Sequence, residues 1–303
     1  ALGVEKMLKA MKDAGYTAAQ WVNDMLAKGN STFYKVEKGV TLCYSPASGT
    51  YVATVAAGTE SAFLVMKNFA GQTVWKNSAA NVYHLGDDVL GLEWNTKMGT
   101  IGGEVLEGIQ KAIALAEEKY KGVVIANDSQ NFSAGANVGM IFMFAVEQEY
   151  DELDMAVRAF QNTMMRARYS SIPVVVAPHA LTLGGACELS LHSDKVLPAA
   201  ESYIGLVELG VGLIPGGGGT KEFTLRVSDS FEAGDIEVNN LRNAYMNIAT
   251  AKVATSAEEA RSMGILRKSD GITLNRSRLI ADAKAAAISL AEAGYTQPKQ
   301  RKD

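Results

Sequence analysis

Leu181-Thr-Leu-Gly-Gly-Ala-Cys-Glu188 decides how this chain folds. Just before it runs Ile172-Pro-Val-Val-Val-Ala-Pro178, a short β-branched run of the kind that makes a buried strand. Gly184 and Gly185 follow, and Ala186 to Ser193 then reads as a helix. The local geometry is therefore strand, glycine turn, helix. The first turn of a helix carries backbone N–H groups with no partner inside the helix, and its dipole favours negative charge. The N–H of Gly185 points out of that start, and the missing side chain lets a ligand oxygen approach the backbone. Glu188 stands three residues on, near the same face. A second carboxylate, Glu208, precedes the tight turn at Gly210-Val-Gly212. The stretch offers one backbone donor for an oxyanion and two acid/base groups. It also has an ordinary reading. A glutamate in a first helical turn is a favourable charge at the positive end, and glycine pairs before helices are common packing devices.

Working outward, 303 residues allow one large or two small domains, and 48% hydrophobic content is ample for a core. Charged residues at 20% are too few for a disordered chain. A net charge of −4 gives no basic footprint, so no nucleic-acid partner is expected. No unbroken run of 18 apolar residues occurs, so no membrane partner is expected either. The start, Ala1-Leu-Gly-Val-Glu-Lys6, lacks the apolar region of a secretory signal and an initiating Met. The expectation is a piece of a longer, cytoplasmic chain. Cys43 and Cys187 make no disulfide framework, and Cys187 reads as a small packing residue. His84, His179 and His192 are scattered without metal spacing, so no metal is expected. No G-x-G-x-x-G or Walker A pattern is present. Gly216-Gly-Gly-Gly219 lacks the Lys-Ser/Thr ending of a phosphate loop and reads as a turn after Pro215.

The front of the chain reads as two short helices, carrying Val4, Met7, Leu8 and Met11, then Ala18, Trp21, Val22 and Met25. Extended segments follow at Tyr34–Val36, Val40–Tyr44 and Tyr51–Val55, with a turn at Ser45–Gly49. Residues 56–77 carry no clear period beyond the apolar Phe63-Leu-Val-Met66. From about residue 80 the pattern is regular. Asn81–Leu85 and Val89–Trp94 read as paired strands around Gly86-Asp87-Asp88. Gly102–Lys119 is an amphipathic helix, with Val105, Leu106, Ile109, Ile113 and Ala116 in one stripe. Val123–Ala126 is a buried strand, Asn131–Asn137 a turn, Tyr150–Ala167 a long helix and Ile172–Ala177 the next strand. More helical segments follow Thr220, including Ala257–Met263 and Arg276–Ala293. Strands alternating with helices predict an α/β fold with a parallel or mixed sheet.

Three blocks carry a resemblance. They are Val124-Ile-Ala-Asn-Asp-Ser-Gln-Asn-Phe-Ser-Ala-Gly-Ala136, Leu183-Gly-Gly-Ala-Cys-Glu188 and Leu209-Gly-Val-Gly-Leu-Ile-Pro-Gly-Gly-Gly-Gly-Thr220. In order and spacing they resemble the crotonase (enoyl-CoA hydratase/isomerase) superfamily over roughly residues 80 to 280. The resemblance implies a ββα spiral with flanking helices and acyl-CoA thioester substrates. It implies an oxyanion hole from the N–H groups of Ala136 and Gly185, and catalysis by Glu188 and Glu208. Ala134, Gly135, Gly184 and Met140 are the implied substrate-binding positions. Two features depart from the family pattern. The family's Asp after the AGA turn is Asn137 here, and the Lys often following it is absent from Val138-Gly139-Met140, where the family contacts the CoA adenine and phosphates. Residues 224–250 also look longer and more polar than usual, and the C-terminal helical part looks short.

Gly3-Val-Glu-Lys-Met-Leu8 through Phe33-Tyr-Lys35 resembles the end of a 3-hydroxyacyl-CoA dehydrogenase C-terminal domain. The domain division expected is therefore 1–77, dehydrogenase tail plus connector, and 78–303, a crotonase-like hydratase domain with a short helical C-terminal part. The implied function is reversible hydration of trans-2-enoyl-CoA in fatty-acid β-oxidation, within a bifunctional polypeptide. The dehydrogenase domain of that parent would carry NAD, and no cofactor is expected in this chain. A homo-oligomer is a further possible partner. Two rival readings remain: a Δ3,Δ2-enoyl-CoA isomerase, which needs only one carboxylate, and a non-catalytic docking module.

Overall fold

The computed structural model describes residues 3–37, 40–53 and 63–300. The chain divides into two compact units, Ala1–Ala56 and Ala57–Asp303. In the first, helices α1 (Val4–Asp13) and α2 (Gln20–Ala27) precede an antiparallel sheet of β1 (Tyr34–Glu37), β2 (Val40–Ser45) and β3 (Thr50–Ala53). Helices this short are marginal in water without a partner surface. Val4, Leu8, Val22 and Met25 supply one by clustering with Tyr44. The Ser45–Gly49 turn closes through Gly49 N–H donating to Ser45 O at 2.8 Å.

The second unit begins with a 3-10 turn, Met66–Gln72, whose Met66 and Phe69 are buried. Strands β4 (Thr73–Lys76), β5 (Ala80–His84) and β6 (Val89–Trp94) form an antiparallel meander. The second compact unit thus takes in residues ahead of the 77/78 division expected from the sequence. Strand β4 pairs with β5, and Met66 and Phe69 join the core beneath Tyr83 and Leu85. Asp87 and Asp88 both adopt positive φ in the β5–β6 connection, as a tight hairpin of this hand requires.

Helix α3 (Gly103–Lys119) buries its expected stripe on the sheet and leads to β7 (Gly122–Ile125). Helices α4 (Val138–Val146) and α5 (Tyr150–Arg168) follow, then β8 (Val174–Val176) and β9 (Ala180–Leu183). Next come α6 (Gly185–His192), β10 (Lys195–Val196) and β11 (Ser202–Gly205). The end of the chain is helical: α7 (Gly219–Ser228), α8 (Glu237–Ala249), α9 (Ala257–Ser262) and α10 (Leu279–Glu292). The main sheet has the order β10-β8-β7-β6-β5-β4, parallel from β6 to β10. Strands β9 and β11 form a second, parallel pair.

One face of the main sheet packs on α3, α5 and α6 through Val105, Ile109, Ile113, Met164 and Leu189. The other packs on α10 through Leu279, Ile280, Ala283 and Ala287. A third cluster joins α6 to the C-terminal helices through Cys187, Leu191, Phe223 and Ile265. Helix α6 therefore lies between two cores, and all eight of its residues are buried. Each large apolar side chain buried this way contributes about 1.5–3 kcal/mol. Among the described residues, no helix is long and apolar enough to cross a membrane.

Candidate active site

The site assembles where the end of β9 meets the 131–137 loop. Ser133 N–H donates to Leu181 O and Leu183 N–H donates to Ser133 O, at 2.9 and 3.0 Å. Gly184 then turns at φ +52°, ψ −120°, a conformation for which only glycine is suited. A Cβ there would lie 3.2 Å from Glu208 Oε1. Gly135, at φ +94°, sits against the same turn. A Cβ on it would lie 2.7 Å from Leu183 O and 3.2 Å from Gly185 N. The two loops thus touch through bare backbone.

This contact brings two N–H groups together. A Cβ on Gly185 would stand 3.4 Å from Ala136 N. Among the described residues neither the Ala136 nor the Gly185 N–H has an acceptor within the protein. Paired, unclaimed donors beside a helix start favour a developing negative charge. The ring of Phe160, from α5, lies against Gly185 and Gly217.

Both glutamates reach this place. Glu188 is 3% exposed, and its Oε1 accepts from Gly219 N–H at 2.8 Å. Burial pushes its carboxyl up to about 7 and the nearby Glu208 charge adds to the rise, while the N–H groups of Gly219 and Gly217 offset part of it. Glu208 opens a 3-10 turn, Glu208–Val211. Burial raises its carboxyl too, and its Oε2 is buried without a hydrogen-bond partner. Two buried acids whose carboxyls are both raised can exchange protons with a bound molecule.

The glycine run has a role its spacing did not disclose. Gly216–Gly218 does turn, but the run also forms the cradle of Glu188. A Cβ on Gly217 would collide with Glu188 Oε2 and Phe160, and one on Gly219 would lie 3.1 Å from Glu188 Oε1. Gly218 takes φ +105°. Gln161, next to Phe160, anchors the run by donating to Gly216 O at 2.8 Å. Four consecutive glycines were the only signal of this.

Of the other expected positions, Ala134, Gly135 and Gly184 lie in the two touching loops. Met140 sits one turn into α4, exposed. Asn137 caps α4, its Oδ1 accepting from Met140 N–H at 3.2 Å, so Asn serves as the N-cap. Cys187 is buried in the third core cluster with its thiol pushed up by burial, as suits a packing residue. Among the described residues no group of three or more metal-ligating side chains occurs.

Loop pairing, a glycine-cradled carboxylate and a mixed six-stranded sheet beside a parallel β9–β11 pair define a class. Residues 92–294 match the enoyl-CoA hydratase/isomerase family, and the chain belongs to it. The fold is the crotonase fold. It is similar to enoyl-CoA hydratase from Geobacillus kaustophilus HTA426 (TM-score 0.59, 19% identity, 72% of this chain and 76% of that one). It is likewise similar to enoyl-CoA hydratase from Bacillus anthracis (TM-score 0.55, 23% identity, 71% and 76%).

Among curated proteins, the chain is 39% identical over 302 residues to a protein of Bacillus subtilis (strain 168) named as a 3-hydroxyacyl-CoA dehydrogenase. That match covers 100% of this chain and 38% of the relative. It is also 30% identical over 216 residues to a protein of Rickettsia prowazekii (strain Madrid E) named as a fatty acid oxidation complex trifunctional enzyme, covering 71% and 29%. The chain spans well under half the length of these curated relatives.

Proposed function

We propose that this chain hydrates trans-2-enoyl-CoA thioesters reversibly to 3-hydroxyacyl-CoA. The observation that carries the reading is the convergence of two unclaimed N–H groups, Ala136 and Gly185, with two raised carboxyls, Glu188 and Glu208. The thioester oxygen accepts from both N–H groups. As water attacks C3, charge gathers on that oxygen, so donors fixed there favour the transition state over the ground state. Each donor contributes on the order of 3 kcal/mol to that preference. Glu188 takes a proton from the attacking water, whose oxygen bonds to C3. Glu208 delivers a proton to C2, and the C2–C3 double bond becomes single. The unpartnered Oε2 of Glu208 is the atom that would hold the water. The roles of the two acids can exchange, because they titrate as a pair.

The presence of Glu208 beside Glu188 favours hydration over double-bond isomerisation, which uses one carboxylate. Helix α4, apolar throughout and separated from Ala136 only by its N-cap Asn137, offers surface for the acyl chain. The long relatives support a parent polypeptide whose dehydrogenase part would oxidise the 3-hydroxyacyl product with NAD. The test follows the loss of conjugated-thioester absorbance of crotonyl-CoA. Turnover by the wild-type chain, lost in both Glu188→Gln and Glu208→Gln with unchanged circular dichroism, is the expected result. Wild-type turnover in both variants would refute the assignment. Full activity of Glu188→Gln on a 3-enoyl-CoA would favour a different reaction.

A further inference from the structure

Behind the glycine run lies a buried charged cluster that the hydration scheme does not use. His192, at the end of α6, and Glu222, in the first turn of α7, are both fully buried, with Nε2 and Oε1 3.7 Å apart. His192 Nδ1–H donates to Glu188 O at 2.7 Å. That bond fixes the tautomer and leaves Nε2 a buried acceptor without a partner. The same ring edge lies against Gly218. A Cβ there would be 3.1 Å from both Cε1 and Nε2. Gly218 O accepts from Glu222 N–H at 3.0 Å, and the next residue, Gly219, supplies the N–H that holds Glu188 Oε1. Glu222 in turn pairs with Arg168 and with Lys221 Nζ at 3.2 Å, and Arg226 Nε stands 3.9 Å away. One imidazole therefore touches both ends of the Glu188 arrangement: the backbone that carries the acid and the turn that grips it.

We propose that His192 is a positioning residue for Glu188, setting the left-handed Gly218 turn so that the Gly219 N–H meets the carboxylate. This rests on the hydration reading for its kinetic consequence, but not for its geometry. The groups facing Glu188 are Glu208, the Cys187 thiol and the N–H groups of Gly217 and Gly219. Those facing His192 are Glu222, Lys221 and Arg168. An N–H bond to a carboxylate favours its charged form, so loosening the Gly219 bond raises the acid's pKa.

The test uses His192→Met, whose flexible side chain fills the space without a donor, and His192→Asn, which keeps a donor near the Nδ1 position. For His192→Met the expected result is a fall in kcat of up to roughly 10²-fold with KM little changed. The acid limb of the kcat–pH profile moves to higher pH. His192→Asn restores most of both. A carboxyl 13C titration of Glu188, assigned by its loss in Glu188→Gln, reads the same upward movement without turnover. It therefore still decides if the wild-type chain hydrates nothing, or if kcat is too low to profile. Equal losses in both variants with the Glu188 titration unmoved would overturn the proposal, as would a His192→Met protein indistinguishable from wild type. If His192→Met does not fold, the titration of His192→Leu, which also lacks the donor, decides: a raised Glu188 value supports the proposal and a wild-type value overturns it.

Discussion

Helices α4 and α6 each follow one of the two loops that meet at the site, and they invert the usual relation between composition and burial. Helix α6, Gly-Ala-Cys-Glu-Leu-Ser-Leu-His, carries a carboxylate, a hydroxyl and an imidazole, and every residue is buried. Helix α4, Val-Gly-Met-Ile-Phe-Met-Phe-Ala-Val, has no charged or strongly polar residue, and none is buried. The lesson is a division of labour. Burial between two cores fixes the acid of α6 and raises its carboxyl. Helix α4 leaves apolar surface near Ala136, where the acyl chain of the proposed thioester would lie.

The comparison breaks most visibly at Glu188. Replacing it by Gln is expected to lower hydration by roughly 10²–10⁴-fold, read by the absorbance assay, while no single α4 substitution does so. Next in size is packing. Leu189→Ala in α6 should destabilise by about 2–5 kcal/mol in urea unfolding, since its site between strands and helices cannot collapse freely.

A pH-dependent effect of similar order is expected at Glu188. Its carboxyl sits near 7 in the fold against an ordinary 4.5. The folded protein thus binds this proton more tightly than the unfolded chain. The associated stability is complete below about 4.5 and is lost as pH rises through about 7. Gln has no such loss. Glu188→Gln should therefore gain stability over wild type between those pH values and level off above, by on the order of 3 kcal/mol, measured by denaturant melts across pH. A constant difference from pH 4 to 8 would contradict the buried-acid assignment.

Smaller effects sharpen the α4 side. Asn137→Ala removes the cap and should cost about 1 kcal/mol, seen in thermal unfolding. Phe142→Ala, at a residue 64% exposed, should change stability by no more than about 0.5 kcal/mol. Its effect should appear in KM for long enoyl chains rather than for crotonyl-CoA.

Much of this was legible from residue order. The β5–β6 hairpin, the α3 stripe and the strand–glycine–helix unit around Gly184 follow from period and turn chemistry. The three family blocks located Ala136, Gly185 and both glutamates. Other parts were not legible, for physical reasons. Helix α4 is apolar all round, so it lacks the polar face that marks a helical period. Strand β4 has only four residues, and a register shift between Thr73 and Trp75 breaks the alternation that would mark it as a partner of β5. The Gly216–Gly219 cradle is invisible locally, because glycine shows that a Cβ is excluded but not which distant atom excludes it. His192 read as a scattered histidine for the same reason. Its partners, Gly218 and Glu222, lie on another helix and its lead-in turn.

The most direct test is a crystal structure with an acyl-CoA thioester bound. The expected result is a thioester oxygen within about 3 Å of both Ala136 N and Gly185 N, with Glu188 and Glu208 facing C2 and C3. A thioester oxygen bound away from either N–H, or the two acids on opposite sides of the acyl group from the reacting carbons, would contradict it.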